Sequence, residues 1–330
     1  MSALELRNLG VRLRTAQGEV QAVRDVDLTA AEGEVVGLVG ESGSGKSVTA
    51  LAVMGLLPPG LSRTTGAALL QGQDLLALRP DELTAVRGRD ISMIFQEPMT
   101  ALDPVFRVGD QIVETIRAHQ KVSRQAARAR SVEVLGDVGI PDPASRARAY
   151  PHQLSGGMRQ RVMIAMALVA EPAVLIADEP TTALDVTVQA QILGLLHDLS
   201  REHGTAIVLI THDLGVVAET CSRIYTMYAG EVVESCRVDD ALLDPQHPYT
   251  SGLIQAIPRS EKRRQPLYSI PGRVPPLSAM PEGCRFAPRC AHAADECRQP
   301  QPLLGLGDRD VRCCRAAELS LPGAVPGAVS

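Results

Sequence analysis

Apolar and polar residues follow three different patterns along this chain. Over residues 4–11 and 22–31 they alternate, which predicts half-buried antiparallel strands. Residues 34–39, 91–95, 173–177 and 206–211 are short, mostly apolar runs. Such runs predict strands covered on both faces. Residues 108–119 and 125–138 instead carry apolar side chains at i, i+3, i+4 spacing, which predicts amphipathic helices. Residues 156–170 predict a further helix, opened by two glycines. Residues 188–202 predict another, with Ile192, Leu195, Leu196 and Leu199 as its packed face. Strands alternating with helices predict an α/β fold built on a mostly parallel sheet. Residues 224–236 read as a closing hairpin around Ala229-Gly230. Residues 245–281 are proline-rich, and the tail beyond them reads as loop. No internal repeat is present.

Composition narrows the class. The chain has 330 residues, 45% hydrophobic and 22% charged, which suits one large globular domain with an appendage. A net charge of −5 carries no nucleic-acid footprint, and the arginines of residues 124–130 fit a solvated helix face. No apolar run is long enough to span a bilayer, and residues 1–8 lack the basic start and apolar core of a signal peptide. The chain is therefore expected in the cytoplasm, with any membrane work done through partners.

The chemistry begins at the first buried strand. Gly40-Glu41-Ser42-Gly43-Ser44-Gly45-Lys46-Ser47 fits the phosphate-loop pattern G-x-x-x-x-G-K-S/T, between an apolar strand and a predicted helix. That context aims several backbone N–H groups at one spot, with the positive end of the helix dipole behind them. Lys46 is expected to reach the β- and γ-phosphates, and the Ser47 hydroxyl to ligate Mg²⁺. The run 173–177 ends in Asp178-Glu179-Pro180, so a buried strand delivers two carboxylates at its carboxyl end. Asp178 suits a Mg²⁺ role and Glu179 the role of general base toward an attacking water.

Leu154-Ser155-Gly156-Gly157-Met158-Arg159-Gln160 resembles the signature motif of ATP-binding cassette (ABC) proteins. With the phosphate loop and Asp178-Glu179, it makes the chain similar to an ATPase subunit of an ABC importer of the oligopeptide/dipeptide group, which includes nickel and glutathione importers. The resemblance covers residues 1–315. It implies a P-loop cassette with an antiparallel β subdomain, a helical subdomain over residues 97–154, an ATPase domain over 1–236 and an extension over 237–330. It also implies that Ser155, Gly156 and Gly157 cap ATP held by a second, unlike ATPase subunit.

Further residues carry the resemblance. Gln96, in Phe95-Gln96-Glu97-Pro98, matches the Q-loop glutamine, implied to contact Mg²⁺ and the attacking water. His212 matches the switch histidine at the γ-phosphate, and Ala183-Leu184-Asp185 the D-loop. Residues 96–104 and His247-Pro248-Tyr249-Thr250 are similar to segments of peptide importers. The implied partners are two membrane permease subunits and an extracytoplasmic solute-binding protein, with the chain at the cytoplasmic face of the membrane. Nickel or glutathione import is the alternative, as is a soluble non-transport ABC ATPase; a single cassette with net acidic charge weighs against the latter. One departure stands out: no aromatic residue precedes Phe95, so adenine stacking would fall to Leu13, Arg14 or nothing strong.

Seven cysteines are present. Cys284, Cys290, Cys297 and Cys313 lie in the loop-like tail, where four thiolates can hold an iron–sulfur cluster or zinc, or remain reduced thiols. The segment 283–290 resembles the cysteine region of peptide-importer ATPases, some of which carry a 4Fe–4S cluster. That resemblance favours a cluster and Cys313 over Cys314. Cys221 and Cys236 read as ordinary small buried residues.

Overall fold

The computed structural model describes residues 2–16, 18–96, 101–181, 185–257 and 268–324. The chain forms two compact units, Met1–Leu4 with Ala30–Glu34 and Leu70–Val208, and Glu5–Thr29 with Val35–Leu69 and Leu209–Ser330.

In the first unit, strands Ile91–Ile94 and Val174–Asp178 run parallel, with Ile91 opposite Val174 and Ile94 opposite Ala177. Every residue of both strands is buried, which is why neither run alternates. The Ala206 N–H donates to the Ala173 carbonyl at 2.9 Å, which starts the next strand, Ala206–Thr211, alongside. Three helices, Val108–His119, Arg124–Asp137 and Gly156–Leu168, pack on one another. They bury Ile112 and Ile116, Ala127 and Leu135, and Val162 and Ile164 respectively. The arginine-bearing side of the second helix stays largely exposed, as expected.

Helix Val186–His203 buries Ile192, Leu193, Leu196 and Ser200. Leu195 and Leu199 of the expected face are only half-buried, and Leu193 and Ser200 are buried instead, because the packed row follows i, i+4 spacing through 192, 196 and 200 with Leu193 beside it. Gly204, at φ 69°, ends the helix in the left-handed conformation. Strand Ser62–Leu70 and helix Pro80–Val86 have no counterpart in the sequence reading. Their periodicity is weak: the strand fully buries only Ala68 and Leu70, and the helix only Val86.

The second unit holds strand Val35–Val39, parallel to Arg223–Tyr228 with Leu38 opposite Tyr225. Arg223–Tyr228 then turns into antiparallel Glu231–Arg237, with Tyr228 opposite Glu231. The turn is Ala229-Gly230, at φ 46° and 89°. Two consecutive positive φ values suit a tight hairpin turn. A Cβ on Gly230 would also lie 2.2 Å from the Ala22 carbonyl oxygen, so only glycine fits.

The tail after the hairpin opens with two helices that the sequence pattern did not predict, Val238–Leu243 and Pro248–Gln255. Among the described residues beyond 281 it is largely loop and turn, as expected. It also contains the small hairpin Leu304–Leu306/Arg309–Val311, whose second strand pairs antiparallel with Glu231–Arg237 (Glu234 opposite Val311). Three-residue strands carry too little alternation to be read locally; the sheet edge they add to defines them. Tyr228, Ala229, Val233, Tyr249 and Phe286 form one apolar cluster, with Cys284 and Cys290 packed against it. The Tyr228 ring meets Tyr249 at 4.7 Å and Phe286 at 5.1 Å, both edge-on, so the tail shares a core with the central hairpin. Among the described residues, no helix is long and apolar enough to cross a membrane.

Candidate nucleotide site

The phosphate-loop residues lie in the second unit, between strand Val35–Val39 and helix Lys46–Val53. A Cβ on Gly40 would sit 2.1 Å from the Met227 carbonyl oxygen, so the strand exit requires glycine. Gly45 caps the helix at φ 104°, and no acidic residue occupies the first turn to offset the positive end of the dipole. The Ser44 N–H donates to the Glu41 carbonyl at 3.1 Å, and the Gly230 N–H to the Ser44 carbonyl at 2.7 Å. The loop is thereby pinned to the central hairpin. Lys46 is buried, and its Nζ donates to the carbonyls of Gly40 (2.8 Å) and Glu41 (3.0 Å) and to Ser44 Oγ (3.3 Å). Ser42 and Gly43 are exposed and Ser47 is half-buried. His212 is exposed just past strand Ala206–Thr211. Asp213 caps the helix that follows, its Oδ1 accepting from the Gly215 N–H at 2.8 Å.

In the first unit, Asp178 is buried as the last residue of its strand. Glu179 follows in a left-handed conformation at φ 47°, uncommon for a residue with a Cβ, which turns its side chain off the strand line. The structure brings two expected residues together here: the Gln96 Nε2 donates to Glu179 Oε2 at 3.2 Å. The signature residues open helix Gly156–Leu168. Ser155 caps it, its Oγ accepting from the Met158 N–H at 3.3 Å. Ser155 and Gly156 are exposed, whereas Leu154 and Gln160 are buried. Asp185 caps the next helix through the Val188 N–H at 3.0 Å. Glu97, Pro98, Met99, Thr100, Thr182, Ala183, Leu184 and Pro258 lie outside the described residues.

The cysteines divide as expected in part. Cys221 and Cys236 pack in an apolar cluster with Val39 and Ile224, and burial pushes both thiols up to about 12. In the tail, the Cys284 N–H donates to the Cys297 carbonyl at 2.8 Å, and burial pushes the Cys284 thiol up to about 12. Burial also raises Cys290 and Cys313, and each of these thiols feels the charge of others in the set. Among the described residues, however, no group of three or more His, Cys, Asp or Glu is arranged to hold a metal ion. The expected metal centre at Cys284, Cys290, Cys297 and Cys313 is therefore not formed as a ligand cage in this structure.

One contact of the loop had no signal in the sequence. Arg289 Nη1 and Nη2 donate to Glu41 Oε2 and Oε1 at 2.6 and 3.0 Å, and the Glu41 N–H donates to Tyr249 Oη at 2.8 Å. The partners are 248 and 208 positions apart in the chain, beyond any local pattern.

Residues 23–182 match the family described as ABC transporter, and residues 233–297 match the oligopeptide/dipeptide transporter C-terminal region. The second match begins within strand Glu231–Arg237 and spans helices Val238–Leu243 and Pro248–Gln255. The chain is 49% identical over 311 residues to the oligopeptide transport ATP-binding protein OppD of Salmonella typhimurium, covering 94% of this chain and 92% of that one. It is 48% identical to OppD of Haemophilus influenzae, covering 94% and 96%. Among solved structures it is similar to a dimeric ATP-binding cassette, MJ0796, in a post-hydrolysis state bound to ADP and Pi. That likeness has a TM-score of 0.65 at 31% identity, over 71% of this chain and 98% of that one. The α/β fold is thus that of an ABC ATPase cassette. The chain belongs to the oligopeptide/dipeptide branch of the ABC transporter ATP-binding family.

Proposed function

We propose that this chain is the ATP-hydrolysing subunit of an importer for di- and oligopeptides. The observation that carries this reading is the joint presence of the full phosphate-loop and signature motifs with the peptide-transporter C-terminal region over residues 233–297. The proposed division is an ATPase domain over residues 1–236, with its helical subdomain over 97–154, and an extension over 237–330.

In this reading the loop formed by Gly40, Glu41, Ser42, Gly43, Ser44, Gly45, Lys46 and Ser47 holds the phosphates. Glu41 is a member of the loop whose N–H and carboxylate are engaged by Tyr249 and Arg289 and do not touch phosphate. Ser47, Gln96 and Asp178 hold Mg²⁺, which neutralises phosphate charge when bound. Glu179 accepts the proton of the attacking water, and Gln96 orients that water. The 3.2 Å contact of Gln96 with Glu179 supports their joint assignment. His212 contacts the γ-phosphate. Ser155, Gly156 and Gly157 cap the γ-phosphate bound by the partner ATPase; the exposure of Ser155 and Gly156 at a helix start, with Gly157 half-buried, suits this role. The partners are that second, unlike ATPase subunit, two membrane permease subunits and an extracytoplasmic solute-binding protein, and the chain works at the cytoplasmic face of the membrane. Nucleic acid is not a partner.

A 4Fe–4S cluster on Cys284, Cys290, Cys297 and Cys313 is the finer assignment for the tail, with zinc the alternative. Support comes from the resemblance of segment 283–290 and from the main-chain bond of the Cys284 N–H to the Cys297 carbonyl at 2.8 Å. Neither group takes part in ATP hydrolysis here.

Co-purification with partners and transport by the assembled complex test the reading. Permease subunits should accompany the chain, and a short peptide should be taken up in an ATP-dependent manner. Recovery with ribosomes or DNA, or uptake of nickel or glutathione without peptide, overturns it. Anaerobic purification with iron and zinc analysis decides the tail.

A further inference from the structure

A carboxylate in a phosphate loop opposes the ligand the loop binds. Glu41 follows the first glycine of the loop and places a fixed negative charge in the segment assigned to a polyphosphate. Arg289 answers that charge from the tail. Its guanidinium grips both carboxylate oxygens, at 2.6 and 3.0 Å, and the Arg289 side chain is 4% exposed against 31% for Glu41. A two-toothed pairing of this kind needs the planar fork of arginine.

The arginine is itself held from three sides. Its Nε donates to the Pro271 carbonyl at 2.9 Å, its Nη2 lies 3.5 Å from the Ile270 carbonyl, and its plane sits 5.7 Å from the Tyr228 ring centre. Tyr249 Oη, also from the tail, accepts the Glu41 N–H at 2.8 Å. Two side chains of one region thus hold one loop residue, by its main chain and by its charge.

The geometry points to Arg289 as a positioning residue of the nucleotide site: it masks and anchors the Glu41 carboxylate, so that the tail raises the affinity of the loop for nucleotide phosphates. The inference rests on the reading of Gly40–Ser47 as that site. Arg289 acts through Glu41 and is assigned no contact with nucleotide. Without Arg289, the bare carboxylate would repel the phosphates; without the carboxylate, Arg289 would remain as a cation favouring them.

The test is calorimetric titration of the full-length chain with MgADP, using Arg289→Ala, Glu41→Gln, the double variant and Lys46→Ala. Arg289→Ala is expected to weaken binding about tenfold. Glu41→Gln keeps the shape of the side chain and is expected to bind at least as tightly as wild type. The double variant is expected to return to near the wild-type value. In the assembled importer, Arg289→Ala should raise the KM for ATP while leaving kcat nearly unchanged. If Arg289 merely glues the tail in place, the double variant stays as weak as Arg289→Ala, and the proposal falls. It falls equally if Arg289→Ala binds like wild type, or if Glu41→Gln is the weaker binder. A wild-type chain that binds MgADP no better than Lys46→Ala overturns the site reading itself, an outcome distinct from the others.

Discussion

The Gln96 side-chain amide donates to Glu179 Oε2 at 3.2 Å, joining the residue two positions past strand Ile91–Ile94 to the residue directly after strand Val174–Asp178. The two strands are parallel neighbours, so their carboxyl ends emerge side by side and the two side chains meet. Glu179 is thereby presented by its left-handed backbone and steadied by an amide that keeps no charge of its own. Replacement of Glu179 by Gln retains the contact geometry and removes the proton acceptor. ATP turnover of the assembled complex should fall by about 10²–10⁴-fold, with MgATP binding retained. Near-normal turnover in that variant would remove Glu179 from the role of base.

Gln160 links the signature helix to the segment after Glu179. Its side chain is 2% exposed, and its Nε2 donates to the Pro180 carbonyl at 2.6 Å. Gln160→Leu leaves that carbonyl without its donor at nearly constant volume. A loss of about 1–3 kcal/mol of stability is expected, visible as a lower midpoint in urea unfolding. An unchanged midpoint would show that the contact contributes nothing.

His247 ties the pH dependence of the fold to the tail. The imidazole is 1% exposed, and its Nδ1 accepts from the Tyr249 N–H at 3.0 Å, a bond that a protonated ring cannot accept. Burial, and after it the charge of Arg312, pulls His247 from its ordinary 6.5 down to about 3. In the unfolded chain it titrates near the ordinary value. The unfolded chain therefore takes up a proton that the fold refuses, and stability contributed above about pH 6.5 is lost progressively toward pH 3. Glu234 acts in the opposite sense. Its carboxylate accepts the His247 N–H at 3.0 Å, and burial raises its pKa, so its contribution is present at low pH and lost as pH rises. His247→Asn keeps a capping acceptor and removes the titration. Between pH 7.5 and 5.5, wild type should lose about 1 kcal/mol more than this variant in urea unfolding. Parallel pH profiles would contradict the buried neutral imidazole.

Much of the candidate site is legible in the chain itself because its motifs are contiguous. Gly40–Ser47 and Ser155–Gly157 place main-chain N–H groups at helix starts, and such groups are set by local backbone conformation. The strands ending at Val39, Ile94 and Asp178 are legible for a related reason: burial on both faces leaves a mostly apolar run without alternation. The face of helix Val186–His203 is less so, since Leu193 and Leu195 are alike to a periodicity count and only the packing row separates them.

Amino-acid order alone determined the cassette, its phosphate loop, its signature and the carboxylate pair at the end of a buried strand, because each is a property of neighbours along the chain. Tertiary structure alone decided that Gln96 meets Glu179, that Gln160 holds Pro180, and that the tail is a folded region whose Arg289 and Tyr249 grip Glu41. Those pairs are separated by 83, 20, 248 and 208 positions. Contacts at such separations arise from strand pairing and a shared core, and no local preference of the residues involved encodes them.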